Sequence, residues 1–412
     1  SPRRLLKVSL ASRPSPPQAG GSSGRNHMEH PRWTSSSIMM RRLSTGNVPS
    51  CTGTSSDFCT PAAESQPKRG ARSRQDIGDP VAVGVGDIST IRTINRGAFS
   101  TVTLVLDRTS GRYCALKAAS KTSLLRVGAA HSIVREKEAL LALQPHPFVV
   151  QLFWTGQDDE CLYLLLQLGL GGDLRGVLLR RRQSSYGPAL AEEQVSFYAA
   201  TLVLVLEHLH SRGFVYRDLK PDNVLLDEGG YPLLCDFGTA VHVGSSGRAL
   251  TLTGTWEYAA PEQLEGRGAT MAADWWGLGV VCFECLADGL PFPFAEDDAT
   301  QAPVQVLQCI QRRVHTYKMA EYLSAAAAEF VCGMLQCDER RRWEAARLAR
   351  SASFFAAVPW EALLARKIAA PRVPSLRGPA DTSQFSHVDL RRDGDLVGVD
   401  VEGEPPKHAV WE

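Results

Sequence analysis

The sequence predicts an α+β protein of two lobes: a small lobe built on an antiparallel β-sheet with one main helix, and a larger, mainly helical lobe. Three observations predict it. Before residue 168, short runs alternate apolar and polar residues as half-buried strands do: Ile91–Ile94, Thr101–Leu106 and Tyr113–Lys117. Beyond residue 169, apolar residues recur at helical spacing from Val195 to Leu209, and Asp274–Leu286 reads as a buried helix. Between the two regions, Gln167-Leu168-Gly169-Leu170-Gly171-Gly172-Asp173 reads as a flexible crossing.

Residues 1–86 are rich in Ser, Pro, Gly and Arg and carry no apolar periodicity. Such a segment cannot bury enough surface to offset its ordering entropy, so it is expected to be disordered. Its first 56 residues hold eight Arg or Lys and one acid, Glu29, which reads as a basic linker or as an organelle transit peptide. The chain begins with Ser1 and reads as a fragment.

Over 412 residues the net charge is +1, with 44% apolar and 22% charged residues. This balance argues for no nucleic acid and no membrane surface as a general partner. Apolar runs such as Thr201–Leu206 fall far short of the roughly 20 residues that span a bilayer. Cys282 and Cys285 form one C-x-x-C inside an apolar run, without the second pair that a zinc site needs. The ten cysteines read as reduced thiols and the location as cytoplasmic.

Order begins near Asp87. The turn Asn95-Arg96-Gly97-Ala98-Phe99-Ser100 joins two strands and keeps one glycine, Gly97, of a phosphate-cradling G-x-G-x-x-G-x-V, together with the final Val102. Asn95 and Ser100 stand at the outer glycine positions, where Asn tolerates positive φ at some cost. The third strand carries Cys114-Ala115-Leu116-Lys117, its lysine at the distance expected for α- and β-phosphates. Ile133, Ala139, Leu140 and Leu143 mark the main helix. On it Glu136, or failing that Glu138, is the candidate partner for Lys117, which would otherwise be an uncompensated cation beside a core. Strands follow around Gln151–Trp154 and Leu162–Leu166; backbone groups of Gln167 and Leu168 are then free for an adenine edge. Helices are expected at Asp173–Leu179 and Ala191–His210.

The chemistry concentrates in Tyr216-Arg217-Asp218-Leu219-Lys220-Pro221-Asp222-Asn223, a polar loop between apolar Phe214-Val215 and Val224-Leu225-Leu226. A carboxylate to take a hydroxyl proton (Asp218), a cation for a phosphoryl group (Lys220) and an amide oxygen for Mg²⁺ (Asn223) are the set that phosphoryl transfer needs. Thirteen residues after Asn223, Asp236-Phe237-Gly238 supplies a second candidate Mg²⁺ ligand. Thr251-Leu252-Thr253-Gly254-Thr255 precedes Ala260-Pro261-Glu262. Further on, a helix is expected to end in Asp338-Glu339-Arg340-Arg341-Arg342, with irregular chain after about residue 355.

Lys117, Glu136, the Tyr216–Asn223 loop, Asp236-Phe237-Gly238 and Ala260-Pro261-Glu262, in this order, resemble the eukaryotic protein kinase domain. Lys220 and Gly254-Thr255 resemble serine/threonine kinases. Tyr216, Thr251-Leu252, Glu257-Tyr258, Asp274-Trp275-Trp276-Gly277-Leu278-Gly279 and the tail segments Trp360–Lys367 and Asp381–Phe385 resemble the AGC group, cyclic-nucleotide-dependent kinases in particular. The resemblance implies a kinase domain over 87–355, divided at 168/169 with an ATP cleft between lobes, and an AGC-type tail over 356–412.

It implies Asp218 as base, Lys220 at the γ-phosphate, Asn223 and Asp236 on Mg²⁺, and Lys117 with Glu136 at the α/β-phosphates. Asn95, Gly97, Val102, Ala115, Gln167, Leu168 and Asp173 complete the nucleotide site. Thr251 takes the activation-loop phosphorylation position, its phosphate held by Arg217 and His131. Glu262 pairs with Arg342, and Tyr216 and Phe237 stack with Leu140. Asp173, Asp222, Glu284 and Thr255 line the substrate groove, which implies protein substrates with basic Arg-Arg-x-Ser-like motifs. A cyclic-nucleotide-binding regulatory subunit is a possible partner. The leader's own Arg41-Arg42-Leu43-Ser44 makes Ser44 a candidate autophosphorylation site.

Four departures stand out: the missing glycines, a residue inserted between His131 and Glu136, Trp256 in place of proline after Gly254-Thr255, and no Phe-x-x-Phe at the end of the chain. The glycine loss leaves a nucleotide-binding scaffold without turnover as the alternative to an ATP- and Mg²⁺-dependent enzyme.

Overall fold

The computed structural model describes residues 88–385, apart from Ala98 and residues 184–189, 245–246, 294–301 and 314–322. All of them lie in the second of the two units into which the chain divides, Ser56–Glu412. The expectations for residues 1–86, for Ser44 and for the last part of the tail lie outside the described residues.

Strands β1 (Ile88–Arg96), β2 (Ser100–Asp107) and β3 (Arg112–Ser120) form an antiparallel meander. Helices α1 (Lys121–Arg126) and α2 (Ala130–Leu143) follow, then β4 (Leu152–Gln157) and β5 (Cys161–Gln167). The sheet order is β1-β2-β3-β5-β4, so β3 is central. Its register sets Lys117 between Val102 on β2 and Leu164 on β5. The short α1 is not visible as a periodic run; it exists because the Ser120 hydroxyl accepts from the Ser123 N–H at its start. Helix α2 buries Ile133, Glu136, Ala139, Leu140 and Leu143 along one face.

The crossing ends in β6 (Gly172–Asp173) and is closely packed. A Cβ on Gly171 would lie 2.7 Å from that of Leu226, so this glycine is required for packing and not only for freedom. Helices α3 (Leu174–Arg182) and α4 (Glu192–Ser211) come next, followed by β7 (Phe214–Val215). Strand β8 (Val224–Leu226) pairs with β6 on one side and with β9 (Pro232–Leu234) on the other, and β10 (Val241–His242) pairs with β7. Helices α5 (Pro261–Leu264), α6 (Met271–Ala287), α7 (Ala302–Arg313), α8 (Ala325–Met334), α9 (Glu339–Arg347) and α10 (Trp360–Leu364) complete the described chain. Helix α6 is largely apolar and correspondingly buried, including Trp275, Trp276, Cys282 and Cys285, and it buries two acids, Asp274 and Glu284.

One expected boundary is reversed. The run from Asp338 to Arg342 opens α9 instead of ending a helix. The Asp338 carboxylate accepts from the N–H groups of Arg340 and Arg341 at 2.8 and 3.3 Å, which makes it an N-cap.

Candidate active site

The loop Tyr216–Asn223 is held from beneath by a buried carboxylate on α6. Asp274 accepts the Tyr216 N–H at 2.9 Å and the Arg217 N–H at 2.8 Å, and its Oδ2 lies 2.7 Å from His210 Nε2. Arg217 takes φ 73°, a left-handed backbone that an arginine adopts only when its surroundings impose it. Pro221 then starts a single 3-10 turn, Pro221–Asn223, that leads into β8.

This turn brings the predicted catalytic residues together. Asp218 Oδ2 accepts from Lys220 Nζ at 2.9 Å and from Asn223 Nδ2 at 3.1 Å. Its Oδ1 accepts the Thr255 hydroxyl at 2.8 Å, and Lys220 Nζ also donates to Thr255 Oγ1 at 2.7 Å. The carboxylate is thus oriented by three donors on two separate segments.

Across the cleft, Lys117 Nζ donates to both oxygens of Glu136, at 2.9 and 2.7 Å, and to Asp236 Oδ1 at 3.2 Å. Burial disfavours the Lys117 ammonium, but the carboxylates of Glu136 and Asp236 outweigh that and hold it charged, well above the usual lysine range. The same ammonium is the main reason the Asp236 carboxyl sits below its ordinary value. Asp236 takes φ 52° and leaves half of its side chain exposed, while Phe237 beside it is fully buried. Glu138, the other candidate partner, is solvent-exposed.

Asn223 spends its amide N–H on Asp218, at 2.8 Å to the carbonyl and 3.1 Å to Oδ2, which leaves its amide oxygen as the atom that could ligate a cation. Asp236 has one oxygen on Lys117. The remaining donors are oxygen only, and they fit a hard divalent cation such as Mg²⁺ better than zinc or another soft metal.

Two expectations about the nucleotide side are corrected. Asn95 pairs with Val102 inside the β1–β2 ladder, and neither it nor Gly97 has a left-handed φ, so the lost glycine at 95 imposes no backbone strain here. The Gln167 N–H is not free for an adenine edge, because it donates to the Gln151 carbonyl at 2.8 Å. Val102 is half-buried, and Ala115 and Leu168 are 8% and 7% exposed.

Arg217 reaches Thr251, donating from Nη1 to the hydroxyl at 2.7 Å and to the carbonyl at 3.1 Å. Its Nε and Nη2 donate to the Thr239 carbonyl at 2.8 and 2.5 Å. Burial, then repulsion from Arg135 on α2, push the guanidinium down to about 10. Arg135, exposed like His131, is the α2 cation whose charge acts on Arg217. The residue inserted between His131 and Glu136 was visible in the sequence, but not that Arg135, immediately before Glu136, acts on Arg217.

The three groove acids differ from one another. Asp173 caps α3, accepting the Gly176 N–H at 2.6 Å. Its carboxyl is raised mainly by burial, with Asp222 adding to the shift. Asp222 is half exposed and Glu284 is 3% exposed. Both pair with an arginine that sequence reasoning missed: Arg175 donates from Nη1 to Glu284 at 2.5 Å and from Nε to Asp222 at 3.3 Å. Its only sequence signal was a cation two residues after Asp173 on the same helix.

Tyr216 and Phe237 meet edge to face at 5.3 Å, both fully buried, as is Leu140. Glu262 and Arg342 form an ion pair with both side chains at 0% exposure, the guanidinium lying over Trp276. Cys235 hydrogen-bonds the Asn223 carbonyl, and burial pushes its thiol far above the reactive range.

Residues 88–355 match the protein kinase domain family. The chain is 35% identical over 329 residues to the mouse cAMP-dependent protein kinase catalytic subunit PRKX, covering 79% of this chain and 86% of that one. It is 32% identical over 310 residues to a RAC family serine/threonine-protein kinase homolog of Dictyostelium discoideum, covering 74% and 66%. It is 34% identical over 322 residues to the cGMP-dependent protein kinase of Toxoplasma gondii, covering 76% and 30%.

Proposed function

The chain belongs to the protein kinase family, as a serine/threonine protein kinase of AGC type, and on that premise we propose that it transfers the γ-phosphate of ATP, with Mg²⁺, to hydroxyls in basic protein segments. The observation that carries this reading is Lys117, joined to Glu136 at 2.7 Å and to Asp236 at 3.2 Å. That bridge couples the central strand of the sheet, the main helix and the second carboxylate loop into one phosphate-facing arrangement.

In the proposed step the substrate hydroxyl displaces Thr255 from Asp218 and gives its proton to that carboxylate. Its oxygen bonds to the γ-phosphorus as the β–γ bridging bond breaks, and ADP departs with the electron pair. Lys220, already within hydrogen-bond reach of Asp218, moves to the γ-phosphoryl oxygens, while Lys117 holds the α/β-phosphates. Asn223 and Asp236 would hold Mg²⁺, which supplies charge neutralisation on the phosphates.

Basic substrates are supported by the acids Asp173, Asp222 and Glu284 on one side of the cleft. Regulation by a cyclic-nucleotide-binding partner is supported only by the names of similar proteins. A reducing, cytoplasmic setting is supported by the cysteines of the described residues, all of them free. Among the described residues, no helix is long and apolar enough to cross a membrane.

Intact-mass measurement after incubation with Mg²⁺ and ATP tests the reading. Whole-phosphate increments are expected, and they should vanish when Mg²⁺ is chelated. Nucleotide binding with no increment on the protein and none on any added peptide would favour the scaffold instead.

A further inference from the structure

Arg175 lies in the first turn of α3, facing the acids expected to receive a substrate's arginine. Its Nη1 donates to Glu284 Oε1 at 2.5 Å, its Nη2 to the Tyr258 hydroxyl, and its Nε to Asp222 Oδ2 at 3.3 Å. The other Glu284 oxygen accepts the Tyr258 hydroxyl at 2.6 Å. Both oxygens of this nearly buried carboxylate are thus engaged within the chain, and its charge is matched by a guanidinium that is itself about one-quarter exposed.

A guanidinium is the group that two clustered carboxylates bind best, because its planar fork serves several acceptors at once. An incoming arginine must therefore compete for acceptors that Arg175 already holds. We propose that Arg175 is a built-in occupant of the acidic subsite, a specificity-determining residue that flattens selection for arginine in the substrate. The proposal rests on the kinase reading and refines it. Removing Arg175 leaves Glu284 buried with an unmatched charge, and a substrate guanidinium then restores the match.

The test uses the full chain and two peptides in trans. One spans residues 39–48, with Arg41-Arg42-Leu43-Ser44; the other carries alanine at both arginine positions. KM and kcat are measured for wild type, Arg175→Ala and Arg175→Gln, the last retaining amide donors without charge. Both variants are expected to lower KM for the arginine peptide by about tenfold or more, the worth of roughly one displaced charge-assisted contact. KM for the alanine peptide should stay within about twofold, since that peptide offers no guanidinium to compete. An unchanged KM for the arginine peptide, or an equal fall for both peptides, overturns the proposal. If neither peptide is phosphorylated the proposal also falls, and absence of ATP hydrolysis and of self-phosphorylation in wild type would take the kinase reading with it.

Discussion

Arg217 donates to the hydroxyl of Thr251 at 2.7 Å, so the guanidinium expected to hold a phosphate already touches the oxygen that would carry it. Burial and Arg135 both disfavour that cation, and a phosphate is the group that would relieve it. Phosphorylation of Thr251 should therefore raise Tm by roughly 2–4 °C per kcal/mol gained. Thr251→Ala should lower activity by about 10-fold or more, within the 1–3 kcal/mol of a charge-assisted network. Arg135 is exposed, so Arg135→Ala should cost less than about fivefold. Equal Tm values for the phosphorylated and unphosphorylated forms would remove this pocket from the account.

A second prediction concerns acid. His146 and His208 face each other at 4.3 Å between ring centroids, and His208 Nε2 bonds the Leu143 carbonyl at the end of α2 at 2.7 Å. Burial, then the charges of His208 and Arg212, lower His146 to about 4. A histidine depressed in the folded state contributes stability that is present above its unfolded value near 6.5. That stability is lost as pH falls from about 6.5 toward 4. Urea midpoints should decline over this window in wild type and decline less in His146→Asn. Identical slopes would mean the pair is not what titrates.

The Glu262–Arg342 pair supplies the third. Both side chains are at 0% exposure, and removing one partner leaves a buried charge at a cost of about 3–5 kcal/mol. Arg342→Met should lower Tm by roughly 10 °C. The double variant Glu262→Gln/Arg342→Met should recover part of the loss, because neither charge then remains. A double variant as unstable as the sum of the singles would show that the two residues act independently.

Much of this site was legible because its chemistry is local in sequence. Asp218, Lys220 and Asn223 lie on one tight turn, so their spacing alone set them around one carboxylate. A partner for Lys117 could be sought on the main helix, at Glu136 or failing that Glu138, because a strand lysine beside a core demands a counter-charge; the structure pairs it with Glu136. What stayed hidden depends on residues distant in the chain. Arg175 meets Glu284, 109 positions away, only because the fold packs α3 against the catalytic loop and so sets this side chain within reach of α6. Arg135 acts on Arg217 only because α2 lies on the turn after Asp236. Asp338 was misjudged for a local reason: an acid before an arginine run resembles a basic helix end until its cap bonds are seen.

In the proposed reaction Asp218 takes the proton of the substrate hydroxyl at a site assembled around Lys117. The most direct measurement is transfer of labelled γ-phosphate from ATP to the residue 39–48 peptide by wild type and by Asp218→Asn, with nucleotide affinity measured on both. Asparagine keeps an acceptor for Thr255 but cannot accept a proton. Turnover should fall by about a hundredfold or more while nucleotide affinity stays within about threefold. Transfer by the asparagine variant at the wild-type rate would contradict the account.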